Sequence, residues 1–175
     1  MTTRSLIAAL GALAVLAISG CGYPKPDYST PEKAMESIEN AYRQKDIKKI
    51  LWCKGFQLEA KFIVPDDPSK LGSGKKVTKE QLAMMKDSTI ELCKTKFMSD
   101  LESGIPEWNG VKSKITNVRE LTDDMVVVSE DIMPPDHNTI KSELFVGKDI
   151  FGHWKVLMPY SKKMEDNWMK YYGNE

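Results

Sequence analysis

Residues 111–158 read VKSKITNVRELTDDMVVVSEDIMPPDHNTIKSELFVGKDIFGHWKVLM, and in this stretch the apolar period changes from the helical one to two. Four strands are expected, at about 111–121, 125–133, 139–147 and 152–158. The breaks between them are Thr122-Asp123-Asp124, the run Pro134-Pro135-Asp136-His137-Asn138, and Lys148 to Phe151. Connections this short predict an antiparallel meander. Ile140, Ser142, Leu144 and Val146 alternate with Lys141, Glu143 and Phe145. Trp154, Val156 and Met158 should share a face, opposite His153 and Lys155. Met125 to Val128 is apolar on both faces, as a central strand would be.

Upstream of the sheet the period is helical. Thr30 is a good N-cap and Pro31 suits the first helical position; Ala34, Ile38, Ala41 and Tyr42 then recur to about Lys45. Asp46 opens a short second helix through Ile47, Ile50, Leu51 and Cys53, which Gly55 interrupts. Residues 56–64 are readable either way, with the balance toward helix, and 65–76 (PDDPSKLGSGKK) read as an exposed loop. Thr78, with Gln81 in capping-box position, opens a long helix to about Glu102. Its expected apolar stripe is Leu82, Met85, Thr89, Leu92, Cys93, Phe97 and Leu101. Helices followed by a meander predict an α+β fold with the helices packed on one face of a curved four-stranded antiparallel sheet. After the sheet, Met164, Trp168, Tyr171 and Tyr172 lie on one side of a C-terminal helix. Trp168, Tyr171 and Tyr172 are read either as a partner-binding or lid face, or as side chains packed on the domain's own sheet.

The first 21 residues, MTTRSLIAALGALAVLAISGC, have a different character. Arg4 precedes an apolar run, Leu6 to Ile18, of 13 residues. A spanning helix needs about 20, so this reads as the core of a signal peptide. The ending Ile18-Ser19-Gly20-Cys21 resembles the lipobox of bacterial lipoproteins. That resemblance implies cleavage before Cys21 and a diacylglycerol thioether on its sulfur, with a third acyl chain in many bacteria. It divides the chain into a signal peptide (1–20), a lipidated Cys and tether (21–29) and one domain (30–175). Two or more acyl chains hold a protein firmly on a bilayer. Gly22, rather than Asp, at the second mature position implies the outer membrane, with the domain facing the periplasm.

Removing 20 residues leaves 155, one domain's worth. The whole chain has 25 basic and 25 acidic residues. It therefore lacks the basic excess of a nucleic-acid binder and any strong pull toward anionic lipid, so attachment falls to the lipid. Of the three cysteines, Cys53 and Cys93 remain after Cys21. In an exported chain an even pair invites a disulfide. Closing a loop of about 40 residues would contribute roughly 4 kcal/mol; two buried free thiols are the alternative.

Three further pieces bring a second resemblance: Thr30-Pro31-Glu32 leading to Tyr42 and Asp46, Ile115-Thr116-Asn117-Val118 at the start of the sheet, and Gly152-His153-Trp154-Lys155-Val156 in the last strand. In order and spacing they are similar to small lipoprotein members of the NTF2-like superfamily, over about residues 30–160. The fold so implied is a cone, a bent sheet wrapped around helices, often with a pocket at its open end. Members include enzymes, ligand binders and protein–protein modules, so the fold does not assign the function.

A search for chemistry returns little. His153 is out of phase with Trp154 and Val156, and His137 lies in a Pro-rich turn. Glu130 and Asp131 are neighbours on a strand and leave opposite faces. Asp123 and Asp124 are turn residues. Asp66 and Asp67 lack the spaced ligands of a calcium loop. No phosphate loop or nucleophile elbow is present, and no metal or cofactor is expected. The ten Met residues read as adaptable core filler. The expectation is a non-enzymatic envelope module that binds a small apolar ligand or another envelope protein. The alternatives are an isomerase- or dehydratase-like enzyme with a cryptic pocket, or a structural envelope component. A polar residue buried deep in the cone beside a Tyr would favour the enzyme; a cone filled by Trp154 and first-helix side chains would favour the binding module with a protein as its partner.

Overall fold

The computed structural model describes residues 26–71 and 77–173. Among these residues the fold is α+β, with five α-helices and one four-stranded antiparallel sheet. Helix α1 (Pro31–Arg43) begins where Thr30 Oγ1 accepts the Lys33 N–H at 3.2 Å. Lys45, in the left-handed region at φ 52°, turns the corner into α2 (Ile47–Cys53), which Asp46 caps by accepting the Lys49 N–H at 3.0 Å. Lys54 then runs extended and bridges in parallel to Val156, while the Gly55 N–H donates to the Val156 carbonyl at 3.1 Å. This approach requires glycine: a Cβ on Gly55 would lie 2.5 Å from Leu157 Cδ2. Helix α3 (Phe56–Lys61) follows, which settles the ambiguous segment as helical, and a 3-10 turn spans Pro68–Leu71. Within the expected exposed loop, Pro65 is fully buried. Asp66 pairs with Lys61 of α3 and with Lys86, tying the segment to the helices on either side of it.

Helix α4 (Lys79–Ser103) carries the expected capping box between Thr78 and Gln81. Its apolar stripe departs from expectation. Only Leu82 and Leu101 are buried; Met85 and Leu92 are 40% and 68% exposed. The inward positions run 82, 86, 90, 93, 97 and 101, at steps of three and four residues. The helix leans on α3 along that narrow seam, with Thr89 and Met98 half-buried at its edge, and the remaining side chains, Met85 and Leu92 among them, face solvent. Only its C-terminal end reaches α1 and α2, where Leu101 packs with Ala41 and Ile50.

The sheet has the order β1-β2-β3-β4, with β1 Lys112–Thr122, β2 Met125–Met133, β3 Ile140–Lys148 and β4 Trp154–Pro159. The meander and its three breaks stand as expected. Three register shifts curve it: Thr116 and Leu121 are extra residues in β1, and Leu157-Met158 face the single residue Phe145. The last bulge explains a departure from strict alternation, because Leu157 and Met158 both turn to the core opposite that of Trp154 and Val156.

Both faces of the sheet are covered, rather than one. Val126, Val128, Val146, Trp154 and Val156 pack against Ala34, Met35 and Ile38 of α1 and Cys53 of α2. On the other side Met125, Val127, Phe145 and Leu157 meet Leu58 of α3, Phe62 just past its end, and the last helix, α5 (Lys162–Tyr172). A central strand buried on both faces is what the continuous run Met125–Val128 requires.

Candidate functional site

The alternation that drives Val126 and Val128 toward α1 carries Glu130 to the same face. There it lies beyond the last valine, where α1 contributes Glu39. Both carboxyl groups are buried, Glu130 at 3% exposure. Glu39 is well partnered: its Oε2 accepts from Arg43 Nη2 at 3.0 Å and from Ser113 Oγ at 2.6 Å. Among the described residues Glu130 Oε2 has no hydrogen-bond partner. Burial, and then the charge and hydrogen bond of Glu39, push the Glu130 carboxyl up to about 7, against a smaller opposing effect of Ser142.

Glu130 and Glu39 line a cavity of about 340 Å³ enclosed by α1, the second half of α4, the segment after it and the sheet. Its walls are largely apolar, with Ile38, Tyr42, Phe97, Leu101, Trp108 and Leu144 among them. Tyr42 and Trp108 stack at 5.9 Å and 13°, and Arg43 lies over the Trp108 ring at 5.6 Å. Burial raises the Tyr42 hydroxyl to about 12, so it stays protonated and available to donate. At the other end Lys54 pairs with Glu59 at 2.6 Å, donates to the Leu157 carbonyl at 2.6 Å, and sits 5.1 Å from the Phe97 ring centroid. Burial lowers the Lys54 pKa. The arrangement can hold a small molecule against aromatic walls and offers it one unpartnered carboxyl oxygen that gains or loses a proton near neutrality.

Sequence reasoning missed this pair because it weighed Glu130 against its neighbour Asp131. The usable signal was phase: Glu130 is in register with Val126 and Val128, and Glu39 lies one turn beyond Met35. The histidines stay out of the site, His153 half-exposed beside Asp149 at 3.8 Å and His137 in an exposed turn. Trp154 is buried among Ala34, Met35 and Ile38, so it fills the part of the space nearest β4.

One further expectation is corrected, and one open alternative is settled. Cys53 and Cys93 are free thiols rather than a disulfide. Cys53 lies in the core between α1 and the sheet, its Sγ 3.7 Å from Tyr28 Oη, whereas Cys93 is half-buried on the α4 seam near Glu59 and Lys54. The two helices thus send their sulfurs into different layers, and burial raises both thiol pKa values. Trp168, Tyr171 and Tyr172 are buried on the domain's own sheet and do not form an open partner or lid face. Trp168 stacks near Phe62 at 4.9 Å, the Tyr172 hydroxyl accepts the Asp66 N–H at 3.1 Å, and Arg119 on β1 holds Glu165 at 2.7 Å. Cys21 and its tether to residue 25 lie outside the described residues.

Fold and cavity together define an α+β domain built around an apolar, carboxyl-floored recess. No family model, no curated protein and no solved structure matches the chain. Among the described residues no helix is long and apolar enough to cross a membrane, and no group of three or more acidic, His or Cys side chains is arranged to hold a metal ion.

Proposed function

We propose that this chain is a bacterial envelope lipoprotein, held by lipid on Cys21 with its domain facing the periplasm, and that the domain is an NTF2-like cone that binds a small, largely apolar ligand without transforming it. The observation that carries the reading is the recess of about 340 Å³ between α1, α4 and the sheet, with aromatic walls and one buried oxygen that lacks a partner. Such a recess lies within the usual size range of ligand sites, about 300–1,000 Å³, and an unpartnered buried oxygen costs stability until something pairs it. Helices before a curved meander support the cone.

The anchor is supported by the signal sequence and by where the domain begins. The carbonyl of Tyr28 accepts the Trp154 N–H at 3.0 Å, so the entering chain lies along the start of β4. Residues 21–25 span at most about 18 Å when extended, which keeps that edge close to a lipid on Cys21.

Native mass spectrometry of the chain from Gly22 onward, secreted to the periplasm, tests the ligand. An added mass that leaves on denaturation is expected; an empty monomer argues for a protein partner instead. Palmitate labelling that is lost with Cys21→Ser tests the anchor. A second reading, a general acid–base enzyme of isomerase or dehydratase type, is favoured by one observation: Glu130, held near neutral pH, shares the recess with Tyr42. Recovery of a ligand unchanged after long incubation with the protein opposes it; conversion that stops in Glu130→Gln supports it.

A further inference from the structure

Charges around the recess pair off with one left over. On α1, Arg43 is matched by Glu39 at 3.0 Å. At the end of α2, Lys54 is matched by Glu59 of α3 at 2.6 Å. On α4, Asp100 at the rim is exposed and paired with Lys96 at 3.0 Å. From the sheet, Glu130 has no cation among the described residues: its charged neighbour is the Glu39 carboxyl, and its Oε2 receives no hydrogen bond. The aromatic faces beside it already suit positive charge, since Arg43 lies over Trp108 and Lys54 over Phe97.

We infer that the recess binds a small primary amine as its ammonium ion, the N–H groups donating to Glu130 Oε2 and an apolar body of one ring or a short alkyl chain resting on Leu101, Leu144 and the Tyr42–Trp108 stack. The inference rests on the ligand-binding reading above and adds its chemical class. An ammonium supplies the missing cation and the missing donor at once. An alcohol supplies only the donor. A carboxylate or phosphate meets Glu130 and Glu39 as like charges. The recess is at the small end of ligand sites, which limits the apolar body.

The test compares phenethylammonium, hexylammonium, hexanol and hexanoate, read by Trp fluorescence and calorimetry on the chain from Gly22 onward. The three core clusters use only residues between 28 and 172, so this form carries them whole. The ammonium ions should bind at least about tenfold more tightly than the alcohol, as a charge-assisted hydrogen bond contributes that much, and hexanoate should be weakest. Glu130→Gln should remove the preference, bringing the ammonium ions down to the level of the alcohol. Ammonium affinity should also fall about tenfold per pH unit below neutrality, as the ligand must displace the Glu130 proton; Glu39, Arg43, Tyr42, Lys54 and Asp100 are the other ionisable groups facing the recess. Should Glu130→Gln fail to fold, this pH dependence of the native chain decides. Alcohol binding as tight as ammonium binding, or ammonium affinity that is flat with pH, overturns the amine and leaves the ligand reading standing. No binding by any of the four probes sinks both.

Discussion

Glu130 shows how one side chain can be assigned from its surroundings and not from its neighbours in sequence. Its carboxyl titrates near 7 in the folded chain against about 4.5 when exposed. The folded state therefore holds the proton more tightly, and this group's contribution to stability is full below pH 4.5, declines as pH rises to 7, and is level above. Replacing it by Gln should remove that decline. Between pH 5 and pH 8 the native chain should lose about 2 kcal/mol more than Glu130→Gln in urea unfolding, at about 1.4 kcal/mol per pH unit with allowance for water at the mouth of the recess. Equal losses in the two proteins would place the titration elsewhere. The cysteines make the complementary point. Compartment and number alone would pair Cys53 with Cys93, yet each sulfur is fixed by the face its helix buries. Alkylation of the denatured chain from Gly22 onward should label both, with no two-unit mass deficit before treatment. In the folded chain Cys93 should react well before Cys53, because Cys53 is fully buried and both thiols are held above their ordinary pKa.

Among the elements, starts and stops were the most readable part of the sequence. Thr30, Asp46 and Thr78 each cap a helix, and a cap is a local hydrogen bond that needs no tertiary context. Strand limits were equally plain, because short polar breaks separate runs of period two. The facing of α4 was not readable. Its apolar residues lie nearly all round the helix, so only contact with α3 selects the seam. That contact has a buried polar centre, the Lys54–Glu59 pair, both side chains 7% exposed. Glu59→Ala leaves Lys54 with a carbonyl and aromatic rings for company, and should cost about 3 to 5 kcal/mol in denaturant unfolding. Glu59→Gln, which keeps a hydrogen-bond acceptor, should cost less. A loss below 1 kcal/mol would mean that Lys54 escapes to solvent when its partner is removed.

For the whole molecule, the feature outside the recess with a consequence is an apolar ridge. At the β3–β4 turn Ile150 and Phe151 are 83% and 75% exposed. Phe151 lies 6.3 Å from His153, which lies 6.2 Å from Tyr28, and Lys155 links Tyr28 to the Trp52 carbonyl. Trp52 is itself 64% exposed. In the proposed anchored state this edge is the one next to the lipid. The unlipidated chain should thus bind neutral phosphatidylcholine vesicles weakly in a sedimentation assay, and Ile150→Ser with Phe151→Ser should abolish that binding without lowering the unfolding midpoint. Binding that survives the double substitution would remove the ridge from the membrane side. The sequence by itself determined the α+β class, the helix caps, the meander and the signal-like N-terminus, because capping, turn chemistry and period act over a few residues. Tertiary structure alone decided which sheet face each helix covers, which side of α4 is buried, and where the cysteines point. It also decided that Glu130 meets Glu39, 91 positions away in the chain, in a recess. Those outcomes depend on the β bulges and on the close approach at Gly55, which set how distant elements meet.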